Sequence, residues 1–576
     1  ATNGVENMSY IHSEASNTGD VTVNVYFRQG TDADMAAVNV QNRVSKAQGL
    51  LPAEVTKSGI NVRKRQTSNI KQLAIYSPDD SYDTKFLNNY MKINIEPRLS
   101  RIPGVGEVNV FGDDYSMRIW LDPNKMQKYG LVPSDITNVL DEQNVEAATG
   151  TLGAESNNTY QYVLKYRGRY EKEVDYENMV IKALPDGEVL RIKDVATVEL
   201  GSRSYGYIGE VSGHPGCNIM ISQTSGSNAN EIIEEIDRTV EEISKTLPKG
   251  MKIVDIMSTK DFLDASIKNV IKTLVEAILL VVLVVYVFLQ SLRSTFIPAV
   301  AIIVSLVGTF AFLWLVGFSL NMLTLFALVL VIGTVVDDAI VVVEAVQAKF
   351  DEGYTSAYEA TVSAMDGITS ALVTTTFVFM AVFIPVSFIG GTTGTFYTQF
   401  GLTMAAAVAI SLINALTLSP ALCALIMTPH RTSEDGKALS FSSRFHMAFD
   451  GAFSRLVLKY KKGVGFMLGH KWLAGIGLVI ALGSLTALMM TTKTGLVPNE
   501  DMGTVYVDVR TSPGNSVNET YKIMSQVDSC LRTLPQVEVY SNVTGNSQLS
   551  GQAACNGMFT LRLKSWDERT RKEDAI

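Results

Sequence analysis

Long apolar runs fill the middle of this chain and alternate with short polar segments. A helix that crosses a bilayer needs about 20 apolar residues, and no charged residue lies between positions 367 and 429. We therefore expect membrane-spanning helices, the first of them short but rich in Val and Leu from Ile278 to Leu289. Six spans are predicted, with approximate bounds Leu274–Leu289, Ile297–Val316, Met322–Val346, Ile368–Phe388, Phe396–Met427 and Trp472–Met490.

The loops between the spans differ in positive charge, which predicts their orientation. Loops that face the cytoplasm carry an excess of Lys and Arg. The loops after the second and fourth spans have neither residue, whereas those after the first, third and fifth carry Arg293, Lys349 and then eight basic residues. Because six is an even number, residues 1–265 and 494–576 are predicted to lie together, on the side opposite to the cytoplasm.

The long basic loop, residues 431–471, contains an amphipathic helical pattern. Its basic residues fall largely away from an apolar face with helical spacing, which consists of Phe445, Phe449, Phe453, Leu456 and Tyr460. Such a pattern is typical of a helix that lies in the membrane interface. An ordinary amphipathic helix packed on the cytoplasmic ends of the spans explains it equally well.

The polar parts of the chain contain an internal repeat. A strand-like run, a glycine turn, a helical segment and a Leu-Pro stop recur as Val23–Phe27 with Gly30 and Pro52, Asn218–Gln223 with Gly226 and Pro248, and Val505–Arg510 with Gly514 and Pro535. Proline cannot continue a helix, so it marks the same stop in each copy. Segment Ile102–Val108 also resembles Leu534–Val539. The repeat predicts several small α+β sandwiches, and transporters are often built from duplicated halves.

Composition and charge exclude several classes of protein. The net charge of −9 over 576 residues argues against a nucleic-acid partner. The four cysteines have neither disulfide-framework nor metal-type spacing. The sequence has no G-x-x-x-x-G-K-[ST] loop for nucleotide phosphates, which disfavours an ATP-driven pump. We therefore expect no cofactor and no metal.

Two adjacent aspartates, Asp337 and Asp338, lie near the middle of the third span. Insertion scales place the cost of one central Asp at about 2.5–3.5 kcal/mol, and burial beside a like charge favours the neutral form of a carboxyl group. No basic residue lies inside the spans to pair with them. Intramembrane carboxylates usually serve a function, so we predict proton transfer. The alternative is a structural pair that fixes helix register.

Asp337 and Asp338 belong to a longer motif with a clear resemblance. The run from Val336 to Glu344 is similar to the fourth transmembrane helix of the resistance–nodulation–division (RND) efflux pumps of the hydrophobe/amphiphile type. Other matching segments are Gly104–Val108 with Phe111-Gly112, Met117–Asp122, Arg191–Ala196, Thr417–Ala424 and Val497–Asp501. The pattern of that family is longer, so the resemblance implies a partial sequence. It would lack the first transmembrane helix and most of the second half, with the relay lysine and arginine.

The resemblance implies a fold, a membrane α-helical bundle plus α+β periplasmic domains made of repeated βαβ porter sandwiches and a docking subdomain. The implied porter segments are 1–56, 57–120, 209–265 and an incomplete 497–576, with the docking portion at 121–208. Five transmembrane helices would occupy 266–430, the cytoplasmic loop 431–471 and the sixth helix 472–490.

The resemblance also implies a function. The protein would be a homotrimer in the inner membrane of a Gram-negative bacterium and would exchange protons for drugs or other amphiphiles. It would act with a periplasmic adaptor protein and an outer-membrane channel, in contact with membrane lipids. In this scheme Asp337 and Asp338 form the proton relay, driven by the proton gradient, and the protein is not an enzyme.

The substrate pocket carries over residue by residue. Phe111 matches a pocket phenylalanine, Ile75 and Met257 fall where the family often has aromatics, and Phe559 is near another lining position. Core packing is the alternative for each. The flexible loop between the proximal and distal pockets would be Gly545, Asn546, Ser547, Gln548, Leu549, Ser550 and Gly551. It lacks phenylalanine, so the substrate range is expected to be less aromatic.

Other classes of function remain open at this point. A lipid or sterol transporter of the same superfamily would need a differently shaped pocket. A protein-export auxiliary could use the same intramembrane aspartates, although the repeated porter units argue against it. The third alternative is a membrane receptor or assembly factor that transports nothing.

The predicted orientation can be tested by cysteine labelling from the extracytoplasmic side. Single cysteines placed within residues 1–265 or 500–576 are expected to react, and cysteines at Lys437 or Lys461 are not, because the basic loop should be cytoplasmic. The measurement is labelling in intact spheroplasts, with permeabilised cells as the control. Labelling of residues 431–471 from outside would overturn both the span count and the orientation.

Overall fold

The structure is a computed structural model of residues 1–576. The chain divides into two compact units, Ala1–Phe262 with Asp501–Ile576, and Leu263–Glu500. All residues are described except 1–2, 17–18, 20, 29, 65–67, 147–148, 154–158, 166–167, 184–186, 225, 391, 430–440, 493–500, 570 and 572–576.

The first unit contains all the strands of the described chain. They are β1 (Met8–Ala15), β2 (Val21–Phe27), β3 (Asn69–Tyr76), β4 (Val105–Phe111), β5 (Tyr115–Leu121), β6 (Thr151–Leu152), β7 (Tyr162–Val163), β8 (Val180–Ala183), β9 (Val189–Arg191), β10 (Ala196–Ser202), β11 (Ile208–Val211), β12 (His214–Gln223), β13 (Lys252–Ser258), β14 (Thr504–Arg510), β15 (Val537–Ser547) and β16 (Gly551–Leu563).

Short helices lie between these strands. They are α1 (Ala33–Ala47), α2 (Ala53–Ser58), α3 (Thr84–Tyr90), α4 (Glu96–Leu99), α5 (Pro123–Lys128), α6 (Pro133–Gln143), α7 (Glu173–Glu177), α8 (Ile192–Val195), α9 (Ala229–Thr246) and, later in the chain, α18 (Val517–Leu531). A π-helical turn, Met91–Ile95, joins α3 to α4, and a 3-10 turn, Gln48–Leu50, follows α1.

An eight-stranded antiparallel sheet dominates the first unit. Its order is β13-β3-β12-β11-β15-β16-β14, and β4 pairs with the other end of β12. The short strand β11 joins the two halves because it pairs with β12 on one side and with β15 on the other. The pairs β1–β2, β5–β10, β6–β7 and β8–β9 form separate two-stranded sheets among the described residues.

One face of this sheet carries the largest core of the unit. Alternate residues of a strand point to the same face, and Leu73 and Ile75 of β3 lie beside Ile219 of β12 in one buried cluster. The helices above contribute further apolar side chains, among them Leu87, Met91, Leu99, Ile233 and Ile236. A second core, around Ile192 and Val195, packs under the β5–β10 pair.

A buried lysine ties the helix layer to the edge of the sheet. Lys71 of β3 is 1% exposed, and its Nζ forms ion pairs with Asp237 of α9 and, at 3.0 Å, with Asp255 of β13. Removing one partner from a buried ion pair leaves an uncompensated charge. The two carboxylates therefore hold α9 and β13 together through one cation.

The predicted repeat is confirmed at the level of single hydrogen bonds. The strands β2, β12 and β14 each lead to a helix, and the side chains of Asp32, Asn228 and Ser516 cap those helices. A capping side chain satisfies an otherwise free backbone N–H in the first turn. The two Pro-containing turns also match, since Val105 N donates to Ile102 O at 3.2 Å and Val537 N to Leu534 O at 3.3 Å.

The helices of the membrane region confirm the predicted number of spans. They are α10 (Thr259–Leu289), α11 (Leu292–Val316), α12 (Met322–Asp351), α13 (Ala357–Val386), α14 (Thr392–Leu416), α15 (Leu418–Ile426), α16 (Phe441–Gly469) and α17 (Lys471–Thr491). With α14 and α15 taken as one span, six stretches of the described chain are long and apolar enough to cross a membrane. Helix α10 begins well before the apolar run at Leu274, so the first span is not a short helix.

The fifth span is not one continuous helix as predicted, because it breaks at Thr417. Pro420 has no N–H to donate to the carbonyl of Leu416, and its ring would clash with that carbonyl in a regular helix. The chain turns at this point and resumes as α15, and Thr417 N still donates to Ile413 O at 3.0 Å. Prolines are tolerated in membrane helices where such groups are satisfied again.

The basic loop contains the predicted helix, α16. Its Phe449 and Phe453 rings contact Phe288 of α10 edge to face, at centroid distances of 5.5 and 6.0 Å. Leu456 and Tyr460 on the same helix are exposed. These contacts show packing on the end of a span for part of the helix and leave an apolar remainder available for the interface. Lys437 and its neighbours lie outside the described residues.

Candidate functional site

The two intramembrane aspartates lie near the midpoint of α12. The helix is capped by Asn321, whose Oδ1 accepts hydrogen bonds from the N–H groups of Leu323 and Thr324. Buried valines at 335, 336, 342 and 343 surround the pair along the helix. Adjacent residues on a helix point about 100° apart, so Asp337 and Asp338 face different neighbours.

Asp338 faces helix α14, where it meets a buried serine. Ser411 Oγ lies 2.6 Å from Asp338 Oδ2 and 3.2 Å from Val335 O, and Ser411 is 2% exposed. A hydroxyl has one proton to donate, so these two oxygens compete for it. An ionised Asp338 attracts that proton more strongly than a carbonyl does. The arrangement can therefore respond to the charge on Asp338.

Asp337 lies on the exposed side of α12 in this chain. Within the described residues, no basic side chain acts on either carboxylate.

A second polar pair lies one helical turn from Ser411. Asn414 Nδ2 donates to Ser305 Oγ of α11 at 2.7 Å, and both residues are buried. Sequence reasoning missed Ser305, Ser411 and Asn414. The available signal was the pair of polar residues three positions apart in a span with no charge, although a serine in a helix usually bonds its own backbone.

The four predicted pocket residues do not come together. Val108 and Val110 of β4 pack against the main core, so by alternation Phe111 lies on the other face of the sheet, where it is half-buried. Met257 is on β13, and β3 and β12 lie between β13 and β4. Strands β13 and β4, which carry Met257 and Phe111, are therefore three strand spacings apart, or about 14 Å.

Ile75 and Phe559 occupy core positions rather than a pocket. Ile75 lies under the helix layer and Phe559 lies beside Met524 and Tyr540 of the third repeat, both with 0% exposure. For Ile75 and Phe559, this conformation therefore shows core packing, which was the alternative to a pocket position. Their side chains face inward because they occupy strand positions on the helix side of the sheet.

Met257 lies at a cavity in the first unit. Its Sδ accepts a hydrogen bond from Tyr506 Oη at 2.9 Å, and the cavity, of about 430 Å³, is also lined by Met502, Trp566 and Arg562. Arg562 is held by Asp261 at 3.0 Å and by Glu538 at 3.4 Å. The cavity wall therefore combines apolar side chains with an arginine whose charge is balanced by two carboxylates.

The predicted flexible loop, Gly545–Gly551, is largely a β-hairpin. Residues up to Ser547 belong to β15, Gly551 begins β16, and only Gln548–Ser550 form the turn. The β15–β16 register shifts at Gly545, which has φ +95°. A Cβ there would lie 1.7 Å from Gly206 O. This bulge position therefore requires glycine.

One carboxylate holds the tip of the hairpin. Asp508 of β14 accepts hydrogen bonds from the hydroxyls of Ser547 and Ser550. Ser547 Oγ in turn accepts from Leu549 N at 3.1 Å and Ser550 N at 3.2 Å. Burial alone would raise the pKa of Asp508, but the two serine hydrogen bonds and the charge of Arg510 lower it overall.

These features define a multi-pass membrane protein with a sheet-rich domain and an intramembrane carboxylate pair. The model of the AcrB/AcrD/AcrF family matches residues 1–576, and the chain belongs to this family. The resemblance to RND efflux pumps drawn from the motifs is thereby confirmed.

Individual relatives match over the whole of this chain. "Multidrug export protein AcrF" of Escherichia coli (strain K12) is 37% identical over 579 residues. "Antibiotic efflux pump membrane transporter ArpB" of Pseudomonas putida is 36% identical over 580 residues, and "Multidrug resistance protein MdtF" of Escherichia coli (strain K12) is 34% identical over 580 residues. Each alignment covers 100% of this chain and 55% of the relative. The chain thus spans about half the length of these relatives.

The Asp508 contacts predict acid sensitivity of the hairpin tip. Because the folded-state pKa is lowered, the stabilisation is fully present above the ordinary aspartate pKa of about 3.9. It is lost as the pH falls through the lower folded-state pKa. We expect hydrogen-exchange protection of the Leu549 and Ser550 amides to drop as the pH falls below about 4.

The matched control is Asp508→Asn, which cannot titrate. In this variant, protection of the two amides should be weak at every pH and should not change on acidification. Equal protection of the two amides in the unmodified protein above and below about pH 4 would show that Asp508 does not hold the tip of the hairpin.

Proposed function

We propose that this chain is part of a proton-driven transporter that exports drugs and other amphiphilic compounds. The observation that carries the proposal is the Asp337–Asp338 pair in the middle of α12, with Ser411 as the hydrogen-bond donor to Asp338 and no basic partner among the described residues. The names of the relatives, which are those of export and efflux proteins, support the choice of substrate class.

The proton would act by changing the contacts of α12. When Asp338 is ionised it accepts a hydrogen bond from the Ser411 hydroxyl, and when it is protonated the hydroxyl can turn to Val335 O instead. If an ionised carboxylate is more stable in one packing arrangement of the helices than in another, its ionisation shifts the population toward the first arrangement. Moving one charge through a membrane potential of 100 mV supplies about 2.3 kcal/mol.

A proton source and a second charge are needed to complete this cycle. A lone charged aspartate in a bilayer centre costs about 2.5–3.5 kcal/mol on insertion scales, and one hydroxyl hydrogen bond does not offset that cost. The relay therefore requires a cation that approaches when the aspartates lose their proton. By the RND resemblance, that cation belongs to the second half of the family pattern.

The first unit would handle the substrate on the periplasmic side of the inner membrane of a Gram-negative cell. Two sites are suited to amphiphiles: the ring of Phe111 on the sheet face opposite the core, and the cavity bounded by Met257 and Trp566. Large apolar side chains bind such compounds without demanding directional partners. The working assembly would be a homotrimer with a periplasmic adaptor protein and an outer-membrane channel.

Neutral substitution of the aspartates tests the proton relay. Asp337→Asn or Asp338→Asn in the full-length protein is expected to abolish drug resistance at normal expression, because an amide keeps the size of the side chain but cannot exchange a proton. The measurements are drug susceptibility and the amount of protein in the membrane. Glu352→Gln, a charge removal at the end of α12, serves as the control and should retain resistance. Resistance in either Asn variant would refute the relay.

The positions of Phe111 and Phe559 predict opposite effects of truncation to alanine. Phe559→Ala should cost about 3–5 kcal/mol because it opens a cavity in a closed core, and the yield of folded protein should fall. Phe111→Ala should leave the thermal midpoint nearly unchanged and alter resistance drug by drug. Thermal unfolding of the purified variants and a drug panel measure the two effects. An equal loss against every drug with low yield for Phe111→Ala would place its ring in a core.

A further inference from the structure

In the described chain, three hydrogen bonds between side chains join helix α14 to α11 and α12. Gln399 bonds Asn321 at the start of α12. Ser411 bonds Asp338 at the middle of α12, and Asn414 bonds Ser305 of α11. The first two contacts join α14 to α12, whereas the third joins it to a different helix.

Asn414 and Ser411 are coupled through the geometry of one helical turn. Residues three apart on a helix lie on the same side, so the position of one determines the position of the other. Asn414 is 7% exposed and Ser305 is 1% exposed, and their bond is 2.7 Å long. Ser305 is itself set in α11, where its carbonyl accepts from Thr309 Oγ1 at 2.7 Å.

We propose that Asn414 is a positioning residue for the proton relay. Its hydrogen bond to Ser305 fixes the rotation and height of α14, and thereby the place from which the Ser411 hydroxyl donates to Asp338. This inference rests on the proposed function. The Asn414–Ser305 hydrogen bond joins α14 to α11 and involves no atom of α12. It therefore fixes α14 without restraining α12, which can still move when the charge on Asp338 changes.

The charge environment of Asp338 must be known for a pH test. On its own helix, Asp338 has Asp337 beside it and Glu344 two turns away. Helix α14 carries Tyr397 as its titratable residue. The part of α10 that packs in the same core as α12, Ile267–Leu289, carries Lys268, Lys272, Glu276 and Tyr286. The other helices packed around α12 carry Arg293 on α11, Tyr358, Glu359 and Asp366 on α13, and Cys423 on α15. The variants below change none of these residues.

The test measures drug-dependent proton flux of the full-length protein in proteoliposomes as a function of pH. Ser411→Ala serves as the reference, since it removes the donor to Asp338 directly. Asn414→Ala and Ser305→Ala are each expected to shift the pH of half-maximal flux in the same sense as Ser411→Ala, by about one pH unit or less. The double variant Asn414→Ala with Ser411→Ala should shift it no further than Ser411→Ala alone.

Gln399→Ala is the matched control for a general loosening of the bundle. It removes a bond between the same helices α12 and α14, but about 18 Å along α14 from Ser411. It should lower the thermal midpoint as much as Asn414→Ala does and leave the pH of half-maximal flux unchanged. An equal pH shift in Gln399→Ala would reduce the role of Asn414 to plain helix packing and overturn the inference.

The two ideas fail in different ways. If Asn414→Ala and Ser305→Ala keep the unmodified pH profile while Ser411→Ala shifts it, the positioning role is wrong and the proton relay stands. If Asp338→Asn still couples drug to proton flux, the proposed function itself is wrong. Should Asn414→Ala not fold, Ser305→Ala breaks the same bond from the other helix and decides the question.

Discussion

A carboxylate with no cation beside it among the described residues is the constraint around which the membrane unit is organised. Hydrocarbon contains no water to satisfy a polar group, so Asp338 depends on the hydroxyl of Ser411. The amide of Asn414 likewise depends on Ser305. Apolar helix faces can slide past one another at small cost, whereas such hydrogen bonds have one geometry. The few polar contacts therefore decide how α11, α12 and α14 are rotated, and the valine and leucine packing follows.

The features that were predictable from sequence are those with a period or a stop signal. The spans are long runs without charge, and the three sandwiches share a capped helix and a Leu-Pro turn. The Asp337–Asp338 pair was also visible, because charge in an apolar run is conspicuous. The break at Thr417 was not predicted, although Pro420 is plain in the sequence of that span, because membrane helices often continue through proline.

Contacts between elements were beyond the reach of sequence. Whether Ser411 bonds its own backbone or Asp338 depends on how two helices are rotated. The inward positions of Ile75 and Phe559 depend on which strand face the helices cover. The link through β11, only four residues long, joins two repeats into one sheet, and Glu210 on it accepts from Tyr521 and Asn542 of the third repeat. None of this has a local signature.

The bulge at Gly545 restricts how the hairpin can change length in evolution. Side chains alternate between the two faces of a strand, so one residue gained or lost within the ladder reverses every face beyond that point. Here the register already shifts by three residues at Gly545, since Thr544 pairs with Gly557 but Asn546 pairs with Gln552. Single insertions and deletions are therefore confined to the tip, Gln548–Ser550, where Leu549 is 71% exposed. The base of the hairpin can drift in composition but keeps its residue count.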